Sequence, residues 1–247
     1  MTDRPGAVTE AAGAGPSRRQ GLGRIVARRG AQILGMQVVV AALLFAGAGT
    51  LRWRAAWVYL GLVFSGLAVT SWFVVRKNPA VIVARARIRQ GTEPFDKILV
   101  PFCSLFGLAV PLAAGLDAVR FGWARLPAWT AWPGAALLLL SFIPLCWVLI
   151  ENPYLEQTVR IQRESGHRVV ATGPYAVVRH PMYAALILGY IAAPLLLGSG
   201  WAFAAAAGAM ALLLVRTALE DRTLQRELDG YREYASKTRW RIVPFLW

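Results

Sequence analysis

Six apolar stretches dominate the pattern of this chain, at roughly 31–50, 55–75, 98–116, 129–150, 182–197 and 200–215. A bilayer's hydrocarbon core is about 30 Å thick and takes about 20 helical residues to cross, so the first four stretches predict full transmembrane helices. The last two are shorter, giving about 24 Å of helix each. They predict a tight hairpin turning at Gly198-Ser199-Gly200, whose arms just reach across or stop short. A charged helix is expected over about 216–235, where Leu224, Leu228 and Tyr231 form an apolar stripe at helical spacing. Gly230 lies near its end and Pro244 forbids its continuation. The expected fold is all-α, a multi-span transmembrane helical bundle. It has five to six membrane segments, the last two a helical hairpin, and a C-terminal amphipathic helix.

Charge adds an orientation. The net charge of +14 would suggest a nucleic-acid partner in a soluble protein, but the basic residues are sorted by side. Of 27 Lys and Arg residues, 23 fall within 1–30, 76–97, 160–179 and 216–247, which six crossings place on one face. Only Arg52, Arg54, Arg120 and Arg125 fall on the other. The positive-inside rule makes the crowded face cytoplasmic, with both termini on it. This placement accounts for the charge without nucleic acid, and a basic face attracts anionic lipid headgroups. Trp53, Trp57, Trp123, Trp129 and Trp132 are expected as an aromatic belt at the outer interface. Cys103 and Cys146 lie within apolar spans and read as packing residues, with neither a disulfide framework nor metal-ligand spacing. Residues 1–22, rich in Gly, Ala, Pro and Arg, lack periodicity and are expected to be disordered. No cleavable signal is evident, because residues 1–30 are polar and the first apolar run is long enough to stay in the membrane. The segment 76–97, with Arg85, Arg87 and Arg89 among Val, Ile and Ala, is expected along the inner surface, either as a solvated basic loop or with a role towards substrate.

The candidate chemistry sits in the polar stretch 151–180, which holds the only two histidines, His167 and His180. Gly173-Pro174 signals a turn. Pro181 suits the first position of a helix, which puts His180 at the mouth of the fifth span beside free backbone N–H groups. Such a helix start is a ready anion site; the plainer alternative is that Arg179 and His180 anchor the span at the interface. A second constellation is Arg216 and Glu220, one helical turn apart at the inner end of the sixth span. It is either a surface ion pair worth less than about 1 kcal/mol, or a pair in which Glu220 holds a cation and Arg216 an anion. The hairpin brings both constellations to the same cytoplasmic face.

Several blocks in order resemble the isoprenylcysteine carboxyl methyltransferase family, in its bacterial form. They are Gly166-His167-Arg168-Val169-Val170, Gly173-Pro174-Tyr175, Arg179-His180-Pro181-Met182-Tyr183, Arg216 with Glu220-Asp221 and Leu224, Gly230-Tyr231 with Tyr234, and Pro244. The resemblance covers about residues 150–247. It implies an integral membrane enzyme, multi-pass and expected in a bacterial plasma membrane. Such an enzyme moves a methyl group from S-adenosylmethionine to an amphiphilic, lipid-like acceptor, in the leading case a prenylcysteine-like carboxylate. Carried over by position, cofactor binding falls to His167, Arg168, Val169, Val170, Tyr175, His180, Pro181, Met182, Tyr183 and Glu220. Arg216 becomes the acceptor-side residue, and Arg216 and Glu220 the catalytic pair, with no metal. An upstream polar position falls on Arg160 or Gln162. Asp221 stands where many members have Glu, one methylene shorter. The implied organisation is a disordered basic cytoplasmic tail over 1–30, four transmembrane helices over 31–150 and a methyltransferase region over 151–247 with a cytoplasmic cofactor pocket. Two other readings stay open. A membrane reductase of the sterol-reductase type shares the Arg-His-Pro-x-Tyr region and uses NADPH, and a non-catalytic scaffold or small transporter would need none of these roles.

Overall fold

The computed structural model describes residues 16–85 and 91–247, with side chains from residue 23 onward. The described chain is all-helical apart from turns and one isolated bridge between Arg125 and Ser199. Its helices are α1 (Pro16–Ala48), α2 (Arg54–Lys77), α3 (Pro79–Ala84), α4 (Pro94–Gly115), α5 (Ala131–Glu151), α6 (Pro181–Leu197), α7 (Trp201–Glu227) and α8 (Tyr231–Lys237). Five helical segments are long and apolar enough to cross a membrane, and α6 is a shorter apolar helix of 17 residues. The chain is an integral membrane protein.

Six of the helices close into a ring. In the order α1, α4, α7, α6, α5, α2 and back to α1, each packs against the next. Lipid offers no hydrophobic drive for helices to associate, so close approach through small residues matters more than in water. At the α1–α4 crossing a Cβ on Gly115 would lie 2.4 Å from the Leu44 carbonyl oxygen, and one on Gly47 would lie 2.7 Å from that of Leu112. No larger residue fits between these backbones. Leu44, Ala48, Val110, Ala114, Ala193, Leu197, Ala202 and Ala206 fill the core of the outer half.

The hairpin differs from the expected pair of short arms. Its first arm is α6, about 26 Å long, but its second, α7, has 27 residues and spans about 40 Å. The sixth apolar stretch and the charged helix beyond it are one helix, because nothing between Arg216 and Glu227 breaks it and the Arg216 charge is neutralised internally (below). The helix ends at Leu228, where the backbone turns extended (φ −105°, ψ 115°). Gly230 follows in the left-handed region at φ +79°, and α8 starts anew. Leu228 and Tyr231 are buried together with Val148, Tyr175 and Tyr234, so the apolar stripe exists but on two helices.

At the opposite end the hairpin turn is pinned by one carboxylate. The helix of α4 continues through a π turn, Leu116–Phe121, capped by Gly122, which puts Asp117 and Phe121 on a helix. Asp117 is fully buried and accepts hydrogen bonds from the Ala124 N–H (2.7 Å), the Ser199 hydroxyl (2.7 Å) and the Trp201 N–H (3.1 Å). Replacing it with Ala strands these donors. A loss of about 3 kcal/mol is expected, visible as a lower thermal midpoint in detergent, with Asp117→Asn losing less.

Other expectations are revised. Helix α1 begins at Pro16, so 16–30 is helical where a disordered tail was expected, and Ile25 and Val26 pack against the cluster of Val74, Val81 and Ile82. Residues 1–15 of that tail lie outside the described residues. Within 76–97, α3 is tucked inward, with Val81 and Ile82 buried, rather than lying on the surface; Arg87 and Arg89 lie outside the described residues. Trp57, Trp123, Trp129 and Trp132 are exposed as a belt requires, but Trp53 is buried in the outer core.

Candidate active site

The polar stretch from 152 to 180 folds back under the ring as short turns rather than regular helix. Its anchor to α5 is Asn152, whose side-chain amide donates to the Tyr175 hydroxyl (2.9 Å) and whose oxygen accepts from the Tyr154 N–H (2.9 Å). Gly173 takes φ +58°, and a Cβ there would lie 2.9 Å from the Trp147 indole nitrogen and 3.1 Å from the Glu151 carboxyl carbon. Thr172 donates to that same Glu151 carboxylate. The expected Gly173-Pro174 turn is thus held tightly against α5, and it presents Tyr175 from below.

A cleft opens beside this turn, with about 810 Å³ of space not filled by protein when its mouth is included. The stretch His167 to Val170 lines one wall with Tyr175. The stretch His180 to Tyr183 lines another, and Arg216 and Glu220 of α7 close the side. The structure therefore gathers into one cavity every residue to which the resemblance assigns cofactor or acceptor binding. Leu224, Leu228, Tyr231 and Tyr234 complete it.

The electrostatics centre on two adjacent acids that face opposite ways. Glu220 is one-fifth exposed, accepts from the Tyr183 hydroxyl and lies 4.0 Å from His180 Nδ1. It is the carboxylate that looks into the cleft. Asp221 has no exposure and is absent from the cleft lining. It lies 3.3 Å from His180 Nε2 and from the Arg179 guanidinium, and it accepts from Tyr231 (3.0 Å), Gln225 (2.9 Å) and Arg241 (3.0 Å). The shorter side chain at 221 suits this internal hub. The hub also ties the final segment to the site: the N–H groups of Arg179 and His180 donate to the carbonyls of Trp240 and Arg241 at 2.9 and 2.8 Å. The Tyr231 hydroxyl, buried beside Asp221, has its pKa raised, so it stays a donor.

The start of α6 offers less to an anion than its sequence suggested. The N–H groups of Tyr183 and Ala184 both turn back to the His180 carbonyl (3.1 and 3.4 Å). His180 itself stacks at 5.8 Å against Tyr183. Tyr175, raised in pKa chiefly by burial, accepts from Asn152 and keeps its own O–H as a donor.

Arg216 is more engaged than expected. Its guanidinium meets Asp96 in a two-point pair, Nε to Oδ1 at 2.6 Å and Nη2 to Oδ2 at 2.9 Å, and also donates to the Gln157 carbonyl (2.9 Å). Asp96 has no exposure and accepts from the Val159 N–H as well (2.7 Å). Nothing singled out Asp96 in the sequence, although it is one of only thirteen acids and stands in the first turn of a span. Between the two candidates upstream, Arg160 lines the cleft, held by Glu156 (2.6 Å) and Glu164 (2.6 Å). Gln162 lies behind it, donating to the Tyr154 carbonyl.

His167 packs at 4.7 Å against Tyr154, and its Nδ1 accepts from the Gln162 N–H at 3.4 Å. Burial lowers its pKa below the ordinary 6.5. Protonation therefore favours the open loop, and stability of this wall is present above the unfolded pKa and lost as pH falls. Ligand affinity at the cleft is expected to decline as pH drops from 7.5 to 5.5, and His167→Gln, which cannot titrate, should flatten that decline in a binding titration.

Likenesses to known proteins are of two kinds. Residues 134–226 match the model of the isoprenylcysteine carboxyl methyltransferase family. A solved structure of the eukaryotic intramembrane Ras methyltransferase, an isoprenylcysteine carboxyl methyltransferase without a monobody, aligns with a TM-score of 0.55 at 15% identity. That alignment covers 85% of this chain and 73% of the other. At this identity it speaks for the fold. No curated protein matches the chain.

Proposed function

We propose that this chain, whose residues 134–226 match the model of the isoprenylcysteine carboxyl methyltransferase family, transfers a methyl group from S-adenosylmethionine to the carboxylate of a prenylcysteine-like, membrane-embedded acceptor. The observation that carries the reading is the single cleft into which the 167–170, 175, 180–183 and 216–220 blocks converge, at the end of a ring of membrane helices.

The donor set fits the proposed methyl donor. S-adenosylmethionine carries an ammonium, a carboxylate, a nucleoside and a sulfonium. Glu220, partly open to the cleft, suits the ammonium. Tyr175 and Tyr183, with Val169, Val170 and Met182, offer flat and apolar surfaces for the base. When bound, such a donor supplies an electrophilic methyl group on sulfur. The chain's own residues have to align, since in-line displacement gains most from orientation, and an ionised carboxylate needs no general base. The Tyr183–Glu220 bond and the Asp221 hub fix the two faces of that alignment. Arg216, clamped by Asp96 and the Gln157 carbonyl, holds that side of the cleft in place.

In this reading the site faces the cytoplasm, with both termini on the same side, and the one-sided distribution of 23 of the 27 basic residues supports it. The test is incubation of the purified chain in lipid with methyl-labelled S-adenosylmethionine and a panel of prenylcysteines and membrane lipids. Label released as methanol by mild base identifies an ester, as expected. Label stable to base, or turnover of NADPH in its place, would overturn the reading.

A further inference from the structure

Beyond α8 the segment 239–247 returns to the ring and backs one wall of the cleft. Its Trp240 and Arg241 carbonyls accept from the Arg179 and His180 N–H groups, and the Arg241 guanidinium donates to Asp221 (3.0 Å). Ile242 is buried with Tyr183 and Leu213, in a cluster that includes Met182, Trp247 and Cys103. Tyr183 and Met182 line the cleft.

The opposite side of the segment is apolar and uncovered. Phe245 is 87% exposed, Leu246 78% and Val243 42%. The loop that carries them is closed on itself. The N–H groups of Arg241, Ile242 and Val243 donate to the Trp247 main-chain oxygen (2.8, 3.0 and 3.3 Å), and the Trp247 N–H donates to the Val243 carbonyl (3.1 Å). Phe245 sits at φ +65°, the one positive φ outside glycine among the described residues. A bulky residue keeps that conformation only where its surroundings impose it, so the loop holds its apolar tip in place.

Depth and charge say what covers this tip. Leu213 lies three residues before Arg216 on α7, and Cys103 lies well inside α4; both helices belong to the candidate spans. Ile242 and Trp247 therefore sit where the spans leave hydrocarbon for headgroups. The ionisable residues of 237–247 are Lys237, Arg239 and Arg241, all basic. Lys237 is paired with Glu233 and Arg241 with Asp221, while the exposed Arg239 has no ion pair among the described residues. Arg239 adjoins Trp240, whose ring meets that of Phe245 at 5.5 Å. Apolar and aromatic side chains beside an uncompensated basic one suit the boundary between acyl chains and anionic headgroups.

We propose that Val243–Leu246 seats in the bilayer leaflet at the cleft's end of the spans, with Arg239 on an anionic lipid headgroup, and that this seating holds the His180–Tyr183 wall in its ligand-binding form. The seating acts through Arg241 and Ile242, which belong to both sides of the segment. The inference rests on the methyl-transfer reading for the ligand. A ligand that needs the held wall binds in proportion to the fraction of chains that have it.

The test uses the full chain in nanodiscs, one chain per disc, with a nitrobenzoxadiazole label on Phe245→Cys in a Cys103→Ala/Cys146→Ala background. The label should emit as in an apolar medium and be quenched by spin-labelled lipid. Water-like emission overturns the seating, and so does apolar emission that lipid labels leave unquenched, as contact with protein would give. S-adenosylhomocysteine should bind the wild type about threefold or more tightly in discs containing phosphatidylglycerol than in phosphatidylcholine alone. Arg239→Gln should remove that difference, and Phe245→Ser/Leu246→Ser should weaken binding about fivefold or more in both. Lipid-independent affinity in the wild type, or a lipid dependence that survives Arg239→Gln, overturns the coupling; this exposed substitution keeps the test decisive should the double variant unfold. Absence of S-adenosylhomocysteine binding by the wild type would instead overturn the methyl-transfer reading, while the label, which needs no ligand, still decides the seating.

Discussion

Arg216→Ala is expected to cost the folded protein about 3–5 kcal/mol, because it leaves Asp96 buried and charged with no cation beside it. Asp96→Ala should cost a similar amount for the converse reason. The double variant Asp96→Leu/Arg216→Met, which replaces the pair by apolar side chains of similar length, should recover most of the loss, since a buried pair is held at high desolvation cost. Thermal unfolding of the four proteins in one detergent measures this directly. Losses that simply add would show that the two residues do not act as a pair. The result matters for function as well as stability. Through Asp96 and Gln157, Arg216 joins α4 and α7 to the loop that forms the cleft wall, so activity lost in the single variants reflects a displaced wall as well as a missing charge.

Glu220→Gln carries the second large effect. The substitution keeps the length and the acceptor oxygen for Tyr183 but removes the negative charge that faces the cleft. A charge-assisted hydrogen bond to a ligand ammonium is worth about 1.5–3 kcal/mol, so S-adenosylhomocysteine affinity should fall by about 10- to 100-fold with the thermal midpoint of the ligand-free protein little changed. Asp221→Asn should behave in the opposite way. Its carboxylate points away from the cleft into a cluster of Arg179, His180, Tyr231 and Arg241, so it disturbs the fold first and the ligand second. A chain serving only as a scaffold would lose nothing specific with Glu220→Gln.

Much of this architecture was legible in the sequence where neighbouring residues carried the signal. Length and hydropathy announced the spans, Gly173-Pro174 the turn and Pro181 the start of α6. The ordered blocks from Gly166 to Tyr183 pointed to the cleft that the structure forms from them. What could not be read was pairing at a distance. Asp96 and Arg216 are 120 residues apart and Asp117 and Ser199 are 82 apart, and no local pattern marks one as the partner of the other. The end of α7 was misplaced because its charged continuation resembled a separate surface helix; only the internal neutralisation of Arg216 makes one uninterrupted helix reasonable. Arg85 was visible merely as one of several arginines in a basic segment, and its bond to the Glu156 carbonyl depends on how α3 tucks beneath the ring.

Calorimetric titration of the purified chain with S-adenosylhomocysteine, run beside NADPH under the same conditions, goes to the centre of the account. Saturable one-to-one binding of S-adenosylhomocysteine that Glu220→Gln weakens, with no heat from NADPH, is the predicted result. Saturable NADPH binding with none of S-adenosylhomocysteine would contradict it.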